Sequence, residues 1–155
     1  MNNMLTAATA VAITLATANL AAAQAPTWSA EQTAVWEVVS QSWKDEVAKN
    51  GKWPDAYATD QLVAWDADWP MPRYKESIAK WSRFNDSQRK TLQYEIAPVA
   101  IAVNGGTAVV NYTAVMFSQR AEEKPEREAI GLVETLVRSG GNWKFLGATS
   151  FNLKK

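Results

Sequence analysis

The sequence has no cysteine and no histidine. Without cysteine there is no disulfide framework, no thiol nucleophile and no thiolate-ligated metal. Without histidine the commonest general base and the commonest transition-metal ligand are both missing. Excess charge is also lacking: 16 Lys and Arg balance 16 Asp and Glu. A neutral chain argues against a nucleic-acid binder, which usually carries a basic patch. The sequence contains no phosphate loop, dinucleotide fingerprint, nucleophile elbow or basic stripe. No cofactor is therefore expected.

Met1 to Ala23 carries no charged side chain at all. Leu5 to Leu20 is apolar or small, and Ala21-Ala22-Ala23 supplies the small residues a signal peptidase reads. The run is diluted by Thr6, Thr9, Thr14, Thr17 and Asn19, which is poor for a membrane span. Met1-Asn2-Asn3-Met4 lacks the usual basic n-region. The expectation is an export signal over residues 1–23, cleaved after about Ala23. An uncleaved anchor or a start codon placed too early are the alternatives. The mature chain would then be periplasmic or secreted, with no membrane attachment after cleavage. Residues 24–155 have the length of one domain.

In the mature chain, helical spacing comes first. Ser29-x-x-Gln32 reads as a capping box. It opens a helix to about Lys49, with Trp36, Val39, Trp43 and Val47 on one stripe, ended by Asn50-Gly51. A short second helix is expected over Trp53–Thr59, a strand over Gln61–Trp65, and a third helix over Arg73–Phe84, stopped by Asn85-Asp86-Ser87. Then the period becomes two. Strands are expected over Thr91–Val103 (bent at Pro98), Ala108–Ser118, Glu128–Arg138 and Trp143–Asn152. Asn104-Gly105-Gly106 and Ser139-Gly140-Gly141-Asn142 mark tight turns. Helices followed by a meander give an α+β domain with a curved antiparallel sheet wrapped by three N-terminal helices. In the second long strand, Val109, Asn111, Thr113, Val115 and Phe117 share one face. Ala108, Val110, Tyr112, Ala114 and Met116 share the other. Neither set is purely polar, so both faces are expected to be covered, one of them by another subunit.

Several local phrases accompany this order. They are Val35-Trp36, Trp65 with Pro70-x-Pro72, Ile78-x-x-Trp81, Tyr94-x-x-x-Pro98, Ala108-Val109-Val110-x-Tyr112 and Gly141-x-Trp143-Lys144. With them the chain resembles the nuclear transport factor 2-like superfamily, in its SnoaL-like branch of small secreted bacterial proteins. The resemblance covers about Trp28 to Phe151. It implies a cone with a pocket at the wide end, dimers through the outer sheet face, and a carboxylate, Tyr or His inside. It does not fix an activity, because the superfamily hosts isomerases, dehydratases, cyclases, hydrolases and proteins without known activity. Two departures stand out: the chain has no His, and Gly131 stands where relatives of this branch often place an Arg.

Eight tryptophans are several times the usual share. Trp36, Trp43 and Trp81 read first as core residues between helices and sheet. Trp65 and Trp69 flank the loop nearest the expected pocket mouth. Trp65, Trp69, Tyr112 and Trp36 are the candidate contacts for a small, mostly apolar ligand. Trp65-Asp66-Ala67-Asp68-Trp69 is the most pointed constellation. If it is extended, Asp66 and Asp68 share a face, and burial among Trp would favour the protonated form of one, as a general base needs. Two Asp without His are too few ligands for a metal. Glu134, in the apolar company of Leu132 and Leu136, is the next acid/base candidate, with Glu95 behind it. Tyr94 or Tyr112 would be the hydrogen-bond donor. Three readings follow. The first is an exported domain binding a small hydrophobic molecule. The second is a carboxylate/Tyr-based isomerase, dehydratase or cyclase. The third is a structural homodimer without catalysis, its cone filled by its own side chains.

Overall fold

The computed structural model describes residues 27–153. The expected signal over residues 1–23 lies outside the described residues.

Helix α1 (Ala30–Val47) begins where the capping box places it. The Gln32 N–H donates to Ser29 Oγ at 3.2 Å, and the Ser29 N–H donates to Gln32 Oε1 at 2.8 Å. Gln32 also donates from Nε2 to the Ile101 carbonyl at 2.6 Å, which ties the helix start to the sheet. The buried edge is Val35, Val39, Ser42 and Asp45, rotated by about one residue from the Trp36–Val39–Trp43–Val47 stripe. The cause is size. Val35 and Val39 fit wholly against the sheet, while the two indoles lie along the flanks, half-buried. At the helix end, buried Asp45 accepts from Asn50 Nδ2 at 2.7 Å, Lys52 Nζ at 3.2 Å and the Tyr57 hydroxyl. Those donors, Tyr57 first, hold its carboxyl down at about 2. The knot fastens the following loop to the helix.

No second helix forms over Trp53–Thr59. The segment makes one turn, with Ala56 N–H donating to the Lys52 carbonyl and Ala58 N–H to that of Pro54, both at 2.8 Å. The sheet then captures the chain: the Phe145 N–H donates to the Tyr57 carbonyl at 2.9 Å, and strand β1 (Ala58–Trp65) starts there. Arg73 and Tyr74, expected as the start of a helix, form strand β2 against Ala64 and Val63. Helix α2 (Lys75–Gln88) follows and runs through Asn85-Asp86-Ser87. Ser87 Oγ bonds back to the Phe84 carbonyl at 2.7 Å, so the hydroxyl is used within the helix instead of ending it. The described residues thus hold two helices, not three.

Four long strands complete the sheet: β3 (Arg89–Asn104), β4 (Thr107–Arg120), β5 (Glu126–Ser139) and β6 (Asn142–Asn152). The order is β2-β1-β6-β5-β4-β3. The sheet is not wholly antiparallel, because β1 and β6 run parallel. No hairpin joins those two, so no tight turn imposes an opposite sense. Irregular registers at Pro98/Ala100 in β3 and at Thr135/Leu136 in β5 let the sheet curve. Its concave face meets α1, and Val35, Val39, Leu62, Val110, Leu136 and Phe145 form the innermost core. The other face keeps Val109, Asn111, Thr113 and Val115 half-buried and Phe117 exposed. Gly131 lies on that outer face beneath the Phe151 ring, where an added Cβ would come within 2.3 Å of a ring carbon. A larger residue there would displace Phe151, and it would not enter the concave side.

Candidate functional site

Where α1 and α2 diverge over the concave face, they leave a cavity of about 550 Å³. Trp43 and Glu46, three residues apart, present one face of α1 to it; Ile78, Trp81 and Ser82 present α2. Alternation along β5 brings Ile130, Leu132 and Glu134 to the same side, and β4 adds Tyr112 and Met116. The loop after β1 closes the rim with Asp66, Asp68 and Trp69.

Glu134 sits deepest among these carboxyls. It is 6% exposed, and its Oε2 has no hydrogen-bond partner among the described residues. Burial pushes it up to about 8, against an opposing pull from the Tyr112 hydroxyl. At neutral pH it therefore keeps its proton and can donate. The Tyr112 hydroxyl accepts from Trp43 Nε1 at 2.8 Å. Burial, and then the Glu134 charge, hold that phenol far above its ordinary range. Glu46 lines the same cavity from α1 and keeps an exposed side chain. The surrounding walls, with the charges of Asp86 and Asp66, raise its carboxyl to about 7. Of the two, only Glu134 is also closed off by surface area.

The rim is built differently. Arg73, 8% exposed, donates from Nη2 to Asp66, which also accepts from Ser150 Oγ at 3.1 Å. The guanidinium carbon lies 3.5 Å from the centroid of the Trp69 ring. Trp69 meets Trp81 edge to face, with centroids 5.2 Å apart. At the far side of the mouth, Arg89 donates to Glu128 at 3.0 Å and to Ser118 Oγ at 2.6 Å.

The residues singled out from sequence divide cleanly. Asp66, Asp68, Glu134, Trp69 and Tyr112 all line the cavity. Asp66 is not a free base, since it is paired with Arg73; Asp68 is exposed, with only a 3.5 Å contact from Asn152. Tyr94 is outside the cavity, stacked on Trp43 at 5.9 Å. Trp36 also stands behind the wall, edge-on to Tyr112 at 5.6 Å. Trp65 is 53% exposed and donates its indole N–H to the Trp69 carbonyl at 2.9 Å, so it braces the loop without touching the cavity. Trp81, read as core, is a cavity wall. Glu46, Arg73, Arg89 and Glu128 were not singled out. Helix spacing from Trp43 could have found Glu46. Nothing local marks Arg73, because its role depends on a two-residue strand.

No protein-family model matches the sequence, and no curated protein does. Solved structures are similar in fold. A ketosteroid isomerase-like protein from Erwinia carotovora atroseptica superposes with a TM-score of 0.71 at 12% identity, covering 83% of this chain and 100% of that one. An NTF2-like protein of unknown function in nutrient uptake, from Rhodospirillum rubrum, gives 0.67 at 14% identity, covering 77% and 98%. A cystatin-like NTF2-like protein from Novosphingobium aromaticivorans gives 0.64 at 12%, covering 80% and 83%. The chain has the NTF2-like fold. At such identities the likeness carries the fold alone.

Proposed function

We propose that the mature chain is an exported domain that binds a small, largely apolar molecule in the concave cavity. The observation that carries this reading is the cavity itself: about 550 Å³, walled by Trp43, Trp53, Trp69 and Trp81 together with Leu62, Ile78 and Leu132. That volume lies within the range of small-molecule sites. The other half of the lining is polar or charged, Glu46, Arg73, Arg89 and Glu134 among it, and these groups would orient the ligand. A cone filled by its own side chains has less support, given this space. Homodimerisation through the outer sheet face belongs to the same proposal, supported by the exposure of Val99, Phe117 and Phe151. A native mass spectrum of the gently purified protein, expressed with its leader, tests all parts. The expected result is a subunit cleaved after about Ala23, a dimer, and added mass that leaves on activation. Hydrophobic ligands that shift neither the melting temperature nor Trp fluorescence would count against binding.

A second reading is favoured by one observation. Glu46 and Glu134, raised to about 7 and about 8, line one cavity with the Tyr112 hydroxyl. Carboxyls near neutrality suit proton transfer, as an isomerase, dehydratase or cyclase needs. Unchanged turnover of any substrate so found in both Glu46→Gln and Glu134→Gln would remove this reading.

A further inference from the structure

The cavity's charges are unevenly matched. Arg73 is engaged by Asp66 and lies over Trp69, and Arg89 is engaged by Glu128; at the exposed rim Arg120 and Asp68 each lack an ion pair among the described residues and offset one another in charge. Glu46 and Glu134 have no basic partner among the described residues. They belong to different elements, α1 and β5, yet line the same space, where the Glu46 charge disfavours ionisation of Glu134. Glu134 is also buried with an unused oxygen. A buried acceptor without a partner costs about 1–3 kcal/mol, so such a group points to a missing partner. Around the two carboxyls stand indole rings, whose faces attract positive charge better than any other aromatic side chain. Arg73 does leave Nε and Nη1 unpartnered, but its charge is already answered by Asp66 and by the Trp69 face. The uncompensated polarity of the cavity is acidic.

We infer that the cavity takes an organic cation, a protonated or quaternary amine on an apolar frame, its charge held by Glu46 and Glu134 and its frame by the tryptophans. The inference rests on the ligand-binding reading above and specifies its ligand class. The bound cation favours the ionised form of Glu134, which keeps its proton at neutral pH in the empty cavity, and supplies the partner that its Oε2 lacks. The rings of Trp43 and Trp81 contribute through their faces as well as their area.

The test compares three probes on the full mature chain, by calorimetry and Trp fluorescence: benzyltrimethylammonium, its uncharged analogue of the same shape neopentylbenzene, and the anion phenylacetate. The expected result is that the cation binds about tenfold or more tighter than the hydrocarbon, about 1.4 kcal/mol. Glu134→Gln and Glu46→Gln each remove most of that preference and leave hydrocarbon binding within about twofold. Glu46 lies on an accessible helix face, so its variant reads the effect even if the Glu134 variant folds poorly. Equal binding of cation and hydrocarbon overturns this inference and leaves the apolar-cavity reading standing. Tighter phenylacetate binding also overturns it and transfers the polarity to Arg73. Binding of none of the three overturns both. A preference that survives both Gln variants overturns the assigned carboxyls.

Discussion

The two halves of the concave face share the same strands and differ in almost everything else. Along the β4–β5 ladder, Ala108 faces Leu136, Val110 faces Glu134, Tyr112 faces Leu132, and Met116 faces Glu128. At the Ala108 end, every inward side chain is apolar and enclosed under Val35 and Val39. Two residues further along β5, at Glu134, the same face becomes the floor of a cavity. α1 changes with it, from valines in its first half to Trp43 and Glu46 in its last turns. The lesson is that one sheet face can be core and site at once. The division falls where helix cover gives out.

The largest test of this contrast lies in the closed half. Leu136→Ala should cost about 2–5 kcal/mol in urea unfolding, because no neighbour can collapse into the space. The affinity of any cavity ligand should stay unchanged in the variant that folds.

In the open half the sign reverses with pH. Glu134 is raised from 4.5 to about 8 in the folded chain. The unfolded chain releases that proton first, so wild-type stability should fall as pH rises between those two values. Glu134→Gln removes this part of the slope and should be more stable than wild type at pH 9, by on the order of 1–4 kcal/mol. Glu46, raised to about 7, should leave a smaller residual slope below neutrality. Urea midpoints at pH 5 and pH 9 decide it. An unchanged slope in the variant would mean that Glu134 is not held neutral.

Trp69→Ala should have a mixed effect. It strips the ring from Arg73, at about 0.5–2 kcal/mol of stability, and weakens ligand binding measured by calorimetry. Lys80→Ala sets the smallest effect. Its pair with Glu76 at 2.7 Å is solvent-exposed on both sides, and its loss should leave the midpoint in the same urea assay essentially unmoved.

Much of this was legible from residue order. The capping box at Ser29 and Gln32, the turn glycines and the alternation of β4 each depend on contacts within a few residues. The errors have one cause. Trp53–Thr59 and Arg73-Tyr74 carry helix-like signals, but unpaired positions beside β6 and β1 took those backbones instead. Pairing to a neighbouring strand, whether from Tyr57 to distant Phe145 or from Arg73 to nearby Ala64, outweighs a single turn's propensity. The site was half legible for the same reason. Glu134 stood out because its strand neighbours are leucines. Asp66 and Asp68 stood out by spacing, but the partner that neutralises Asp66 comes from β2.

The sequence by itself determined the α+β order, the strand faces and the poverty of catalytic groups, since each follows from local spacing or from residues that are simply absent. Only the tertiary structure decided that β1 runs parallel to β6, that Trp81 is a wall and Trp65 a brace, and that Glu46 and Glu134 line one cavity. Those facts concern residues on separate elements. Their distance and dielectric surroundings do not exist until the helices close over the sheet.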